Sequence, residues 1–116
     1  MKNKMSKTKN IVVIGGGSWG GALADQLLKA NNNVTVLTRR RETADALNLG
    51  SLIALPQVQL EHPIPSTTNP DCLSFADLIV IEFPLSQTAQ VVEMVTTYAS
   101  FDSVILFSGK GLFSHP

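Results

Sequence analysis

Four consecutive β-branched residues, Ile11-Val12-Val13-Ile14, run directly into Gly15-Gly16-Gly17-Ser18-Trp19-Gly20, and no other stretch constrains the fold as tightly. A run with no polar alternation predicts a strand covered on both faces, as strands of a parallel sheet are. Beyond the glycines, Leu23, Leu27 and Ala30 recur at helical spacing from Trp19 onward. Asn31-Asn32-Asn33 then supplies residues that tolerate the left-handed conformation common just after a helix. Strand, glycine turn and helix in that order open an α/β domain.

The rest of the chain keeps the alternation. Residues 34–37 predict a second strand, and residues 42–49 a second helix that stops at Gly50. Between Ser51 and Pro70, three prolines (Pro56, Pro63 and Pro65) argue against long regular elements, with a short edge strand expected at 64–67. A brief helix or turn at 71–76 leads into Leu78-Ile79-Val80-Ile81, a second buried-strand run. Ser86 is the expected N-cap of a helix reaching Ala99, with Thr88, Val91, Val92, Val95 and Ala99 on one face. Residues 104–107 form the last strand. The expected fold is a Rossmann-type doubly wound parallel sheet in the order 3-2-1-4-5, truncated after the fifth strand. Residues 1–116 make one nucleotide-binding domain, with residues 1–9 a flexible basic tail carrying Lys2, Lys4, Lys7 and Lys9.

Composition narrows the function classes. Nine Lys and Arg balance nine Asp and Glu in 116 residues, so no net basic field exists to hold a nucleic-acid backbone. Cys72 is the only cysteine, which rules out an intrachain disulfide and favours a reducing compartment. The longest apolar runs fall far short of the ~20 residues a spanning helix needs. The lysine-rich start lacks the apolar stretch of a secretory signal. A cytoplasmic protein with no membrane and no nucleic-acid partner is expected. His62 and His115 have no acidic or cysteine neighbours at ligand spacing and predict no metal site, and Asp77, just before a buried strand, reads as structural.

The glycine cluster carries the chemistry. Gly15, Gly17 and Gly20 fit G-x-G-x-x-G, in which the first glycine serves the tight turn, the second close approach to a pyrophosphate, and the third close packing of helix on strand. The helix that follows aims unpaired N–H groups and a positive dipole end at the phosphates. Twenty residues on, where an acid would bond the ribose 2′-OH of NAD, stand Thr38-Arg39-Arg40-Arg41. Guanidinium groups suit a 2′-phosphate, so NADP is favoured and NAD is possible, with Arg41 read as a solvated bystander.

Gly17-Ser18-Trp19-Gly20 followed by Ala22-Leu23-Ala24 resembles the N-terminal domain of NAD(P)-dependent glycerol-3-phosphate dehydrogenase. The similarity continues through Val34-Thr35-Val36-Leu37-Thr38-Arg39, Ala46-Leu47-Asn48, Thr67-Thr68, Ala76-Asp77-Leu78-Ile79, Pro84 and Gly109-Lys110-Gly111-Leu112. It implies an oxidoreductase that reduces dihydroxyacetone phosphate to sn-glycerol 3-phosphate by hydride transfer, feeding phospholipid synthesis. It also implies that Ser18 and Trp19 touch the pyrophosphate region, Arg39 and Arg40 the adenosine ribose phosphate, and Lys110 both cofactor and the small phosphate substrate.

The sequence departs from the family at four points. Arg40 replaces a frequent acid. The segment after Gly50 keeps Leu55-Pro56 without the usual asparagines and following glycine. Glu82 stands where a small or apolar residue is usual, and a carboxylate beside cofactor phosphates repels them unless it points outward to solvent. Finally, the family's helical C-terminal domain, with its proton-transfer lysine, is expected to lie outside these 116 residues. No catalytic residue is therefore assigned in this chain, which is expected to bind without turnover, and homodimer formation is expected only with that domain. The rival readings are a ketopantoate-type or 6-phosphogluconate-type reductase, disfavoured by Trp19 and the Lys-Gly-Leu ending, and a non-catalytic NADP-binding module.

Overall fold

The computed structural model describes residues 9–15, 17–52, 55–82 and 88–107. Strands β1 (Asn10–Ile14), β2 (Asn33–Leu37), β5 (Ser66–Thr67), β6 (Leu78–Ile81) and β7 (Val104–Phe107) form one sheet in the order β5-β2-β1-β6-β7. Every pairing in it is parallel. Counted among parallel strands alone, this is the expected 3-2-1-4-5. Helices α1 (Ser18–Lys29), α2 (Arg41–Asn48) and α3 (Thr88–Tyr98) and a 3-10 helix (Pro70–Phe75) make the connections.

The unbroken apolar character of β1 has a direct structural cause. Ile11 and Val13 enter a core with Ala24, Val36, Leu47 and Ile64, while Val12 and Ile14 enter a second core with Leu73, Ile79, Ile81, Val91 and Val95. Each face of the strand is thus sealed by different elements, and each large side chain so buried contributes about 1.5–3 kcal/mol.

Helix ends follow their local residues. The Ala30 N–H bonds back to the carbonyls of Gln26 and Leu27, and Asn31 takes φ 69°. The Asn32 amide then donates to the Leu27 carbonyl at 3.1 Å. Gly50, at φ 82°, ends the α2 turn as expected. The Asn69 side chain accepts from the Asp71 N–H at 2.9 Å and caps the 3-10 helix, with Pro70 in the first position, where no N–H is needed.

Three expectations are adjusted by the structure. Between Gly50 and Leu60 the chain forms an antiparallel hairpin of β3 (Ser51–Leu52) and β4 (Leu55–Gln59), despite Pro56. A two-stranded ladder leaves half of each strand's backbone groups unpaired, so one proline is tolerated there. In α3, Val91 and Val95 are buried but Val92 is 45% exposed. Adjacent helical residues lie about 100° apart, and one narrow face cannot hold both Val91 and Val92. The edge strand predicted at 64–67 is confined to the two residues of β5, with Ile64 buried just before it. Ser86, the expected cap of α3, lies outside the described residues, as do the tail residues 1–8.

Candidate dinucleotide-binding site

Parallel register brings the carboxyl ends of the strands to one edge, where Ile14 lies beside Leu37 and Ile81, and Ile81 beside Phe107. Gly15 leaves β1 at φ 119°, a conformation that side chains rarely adopt. Its N–H donates to the Leu37 carbonyl at 2.9 Å, tying the turn to the end of β2. A Cβ on Gly20 would stand 2.2 Å from the Gly15 carbonyl oxygen, so the first turn of α1 presses directly on the turn. Neither partner in that contact is a side chain that could swing away.

Gly17 is different. It is exposed, and a Cβ placed on it would meet nothing within 4 Å. As N-cap of α1 it makes no side-chain cap bond, and the first turn of the helix holds no acidic residue. The Gly21 N–H closes the first turn onto the Gly17 carbonyl at 2.9 Å, and the N–H groups before it belong to the set that helical bonding leaves over. Ser18 and Trp19 occupy this first turn. An uncapped helix end with space before it fits an anionic group such as a pyrophosphate.

At the end of β2, Thr38 is buried and its N–H donates to the Thr67 carbonyl at 3.0 Å. Arg39 and Arg40 follow on the exposed bend before α2. Arg40 Nη1 lies 3.6 Å from Glu42 Oε2, with both side chains mostly exposed. Such a surface pair contributes about 0–1 kcal/mol and leaves the guanidinium able to exchange partners. Arg41 is exposed as the first residue of α2. The structure therefore gathers Gly15, Gly17, Gly20, Arg39 and Arg40 on one edge of the sheet. Lys110 and Pro84 lie outside the described residues.

Glu82 does not simply face solvent. It is half-buried, its N–H donates to the Ile14 carbonyl at 2.9 Å, and its Oε1 lies 3.6 Å from where a Cβ on Gly20 would stand. The cause is register: the residue after Ile81 sits beside the glycine turn because β6 and β1 are hydrogen-bonded neighbours. The glycine pattern also does not single out Gly21, where a Cβ would come within 2.4 Å of Leu52 Cδ2. The Gly20-Gly21 doublet is the signal for it, and it lets β3 pack against α1.

Asp77 makes a structural contact. Asp77 Oδ2 accepts from the Asn10 N–H at 2.9 Å and fastens the start of β1. Cys72 is half-buried, and burial raises its thiol from 9.0 to about 11, which suits an unreactive thiol. His62 is exposed. Among the described residues no cluster of His, Cys, Asp or Glu could hold a metal, and no helix is long and apolar enough to cross a membrane.

A doubly wound parallel sheet with this glycine turn at its switch point defines a Rossmann-like nucleotide-binding fold. Residues 10–115 match the family described as NAD-dependent glycerol-3-phosphate dehydrogenase N-terminus. Among curated relatives, the glycerol-3-phosphate dehydrogenase [NAD(P)+] of Maricaulis maris is 34% identical over 110 residues, covering 93% of this chain and 33% of the relative. The protein of the same name from Rickettsia bellii is 31% identical over 114 residues, covering 97% of this chain and 36% of the relative. The crystal structure of glycerol-3-phosphate dehydrogenase from Coxiella burnetii superposes with a TM-score of 0.78 at 21% identity, over 89% of this chain and 33% of that one. The chain belongs to the NAD-dependent glycerol-3-phosphate dehydrogenase family and corresponds to its N-terminal, NAD(P)-binding domain. It spans about a third of the length of these relatives.

Proposed function

We propose that this chain binds a nicotinamide dinucleotide along the edge formed by Gly15, Gly17, Gly20, Arg39 and Arg40, with NADPH preferred to NADH. The observation that carries the reading is the uncapped start of α1 opening onto the space at Gly17, with the preceding Gly15 N–H bonded to the end of β2, two residues before the arginines. Backbone N–H groups at Gly17, Ser18 and Trp19 hold the pyrophosphate, and Arg39 and Arg40 hold the adenosine 2′-phosphate. When bound, the dinucleotide supplies a hydride.

In the whole-protein reaction, dihydroxyacetone phosphate is reduced to sn-glycerol 3-phosphate, and Lys110 contacts both cofactor and substrate. The group that protonates the developing alkoxide comes from polypeptide beyond this domain, because general acid catalysis needs a positioned donor in a site that excludes water. The exposed apolar row of β7 supports this reading, since an uncovered strand of Val104, Ile105, Leu106 and Phe107 suits an edge that further polypeptide covers. The reaction is placed in the cytoplasm.

Trp19, the only tryptophan, provides the test. Its fluorescence is followed while the folded chain is titrated with NADPH and with NADH. Saturable quenching at lower NADPH than NADH concentration is expected, and a folded chain that responds to neither sinks the binding assignment.

A further inference from the structure

The described structure brings the acidic side chain of Glu82 against the first turn of α1, which holds no acid of its own. Its Oε1 stands 3.6 Å from the Cβ position of Gly20. The same Cβ position would also meet the Gly15 carbonyl oxygen, so carboxylate, glycine turn and helix start lie close together. The backbone of Glu82 is held there by the bond from its N–H to the Ile14 carbonyl at 2.9 Å. A negative group near a helix N-terminus is favoured by the helix dipole, which makes this a stable position for a carboxylate. It is also the end of the helix that fits a pyrophosphate.

We propose that the Glu82 carboxylate is a built-in competitor for the dinucleotide pyrophosphate, lowering affinity for NADH and NADPH by the same factor. This inference rests on the binding edge proposed above. The common factor follows from the chemistry, because the two dinucleotides share the pyrophosphate and differ only at the adenosine 2′ position, on the arginine side of the edge. Glu82 is in this sense an affinity-setting residue, and Arg39 and Arg40 are the discriminating ones.

The experiment is isothermal titration calorimetry of the full chain and of Glu82→Gln, Glu82→Ala and Glu82→Asp with NADH and NADPH, after circular dichroism confirms folding. Gln keeps the shape and removes the charge, Ala removes both, and Asp keeps the charge. Glu82→Gln and Glu82→Ala should bind both dinucleotides about tenfold more tightly than the unaltered chain at low salt, the size expected for one local charge contact. Glu82→Asp should stay near the unaltered chain. The gain should shrink in molar KCl, where the Debye length falls to about 3 Å, a response that a packing effect would not give.

Unchanged or weaker binding by Glu82→Gln, a gain confined to one dinucleotide, or a gain indifferent to salt would each overturn the inference while leaving the binding edge intact. If neither dinucleotide binds the unaltered chain or any variant, the binding edge fails and the inference falls with it. Binding seen only after the charge is removed would support both.

Discussion

The two sides of the sheet's centre are built from equally apolar strands and end in opposite environments. On β1 and β6, Val12, Val13, Ile14, Ile79, Val80 and Ile81 are all buried, and on β7 the four residues Val104, Ile105, Leu106 and Phe107 are 40% exposed or more. Phe101, in the turn before β7, is fully exposed, and an apolar groove of about 510 Å³ runs between α3 and β7, lined by Val92, Val95, Phe101, Ile105 and Phe107 among others. What differs is the number of neighbours. A central parallel strand is paired on both edges and covered on both faces, whereas β7 is paired only with β6. The proposed binding edge thus lies at the doubly covered strands, while the groove between α3 and β7 leaves apolar side chains exposed.

The sharpest way to break this contrast is at the glycine turn. Gly20→Val should cost about 3 kcal/mol or more and abolish dinucleotide binding, because its Cβ meets a backbone oxygen that cannot yield. Thermal denaturation and the Trp19 titration check both outcomes. Ile79→Ala, at a fully buried site, should cost about 2–5 kcal/mol, while Ile105→Ala one strand away should cost well under 1 kcal/mol. Equal losses in urea melts would show that β7 is as well covered as β6.

Arg39→Ala should weaken NADPH binding about 10- to 100-fold, the range for a charge-assisted bond, and leave NADH nearly unchanged. Losing both equally would move the arginine away from the 2′-phosphate. Replacing Phe101 with Ser and Ile105 with Lys should lower concentration-dependent association, read by light scattering, with little change in melting temperature.

The last expected effect is at Cys72 and is confined to alkaline pH. The folded-state thiol is raised to about 11 from 9.0, so the folded chain holds this proton more tightly than the unfolded one. Its contribution to stability is complete below pH 9 and declines as pH rises toward 11. Urea melts across that window should show the decline, and Cys72→Ser should flatten it.

Much of this was legible in the residues. The β-branched run before the glycines marked a strand sealed on both faces, because a central parallel strand has no solvent-facing side to supply polar alternation, although β7 shows that an equally apolar run can also stand exposed at an edge. Asn31 and Gly50 marked helix ends, since both take positive φ. Leu78-Ile79-Val80-Ile81 marked the fourth parallel strand for the same reason as the first. The hairpin at β3 and β4 was hidden by Pro56, whose tolerance depends on a partner strand that periodicity does not register.

By itself, then, the sequence determined the alternation of strands and helices, the glycine turn and the presence of arginines after β2, all of which depend on residues near one another in the chain. The tertiary structure alone decided three other matters. It set Glu82 against Gly20, 62 positions away in the chain, because β6 lies beside β1. It packed Leu52 onto Gly21 and so attached the hairpin to α1. It also exposed β7, whose residues are as apolar as those of β1, because burial is a property of what surrounds a strand and not of the strand's own side chains.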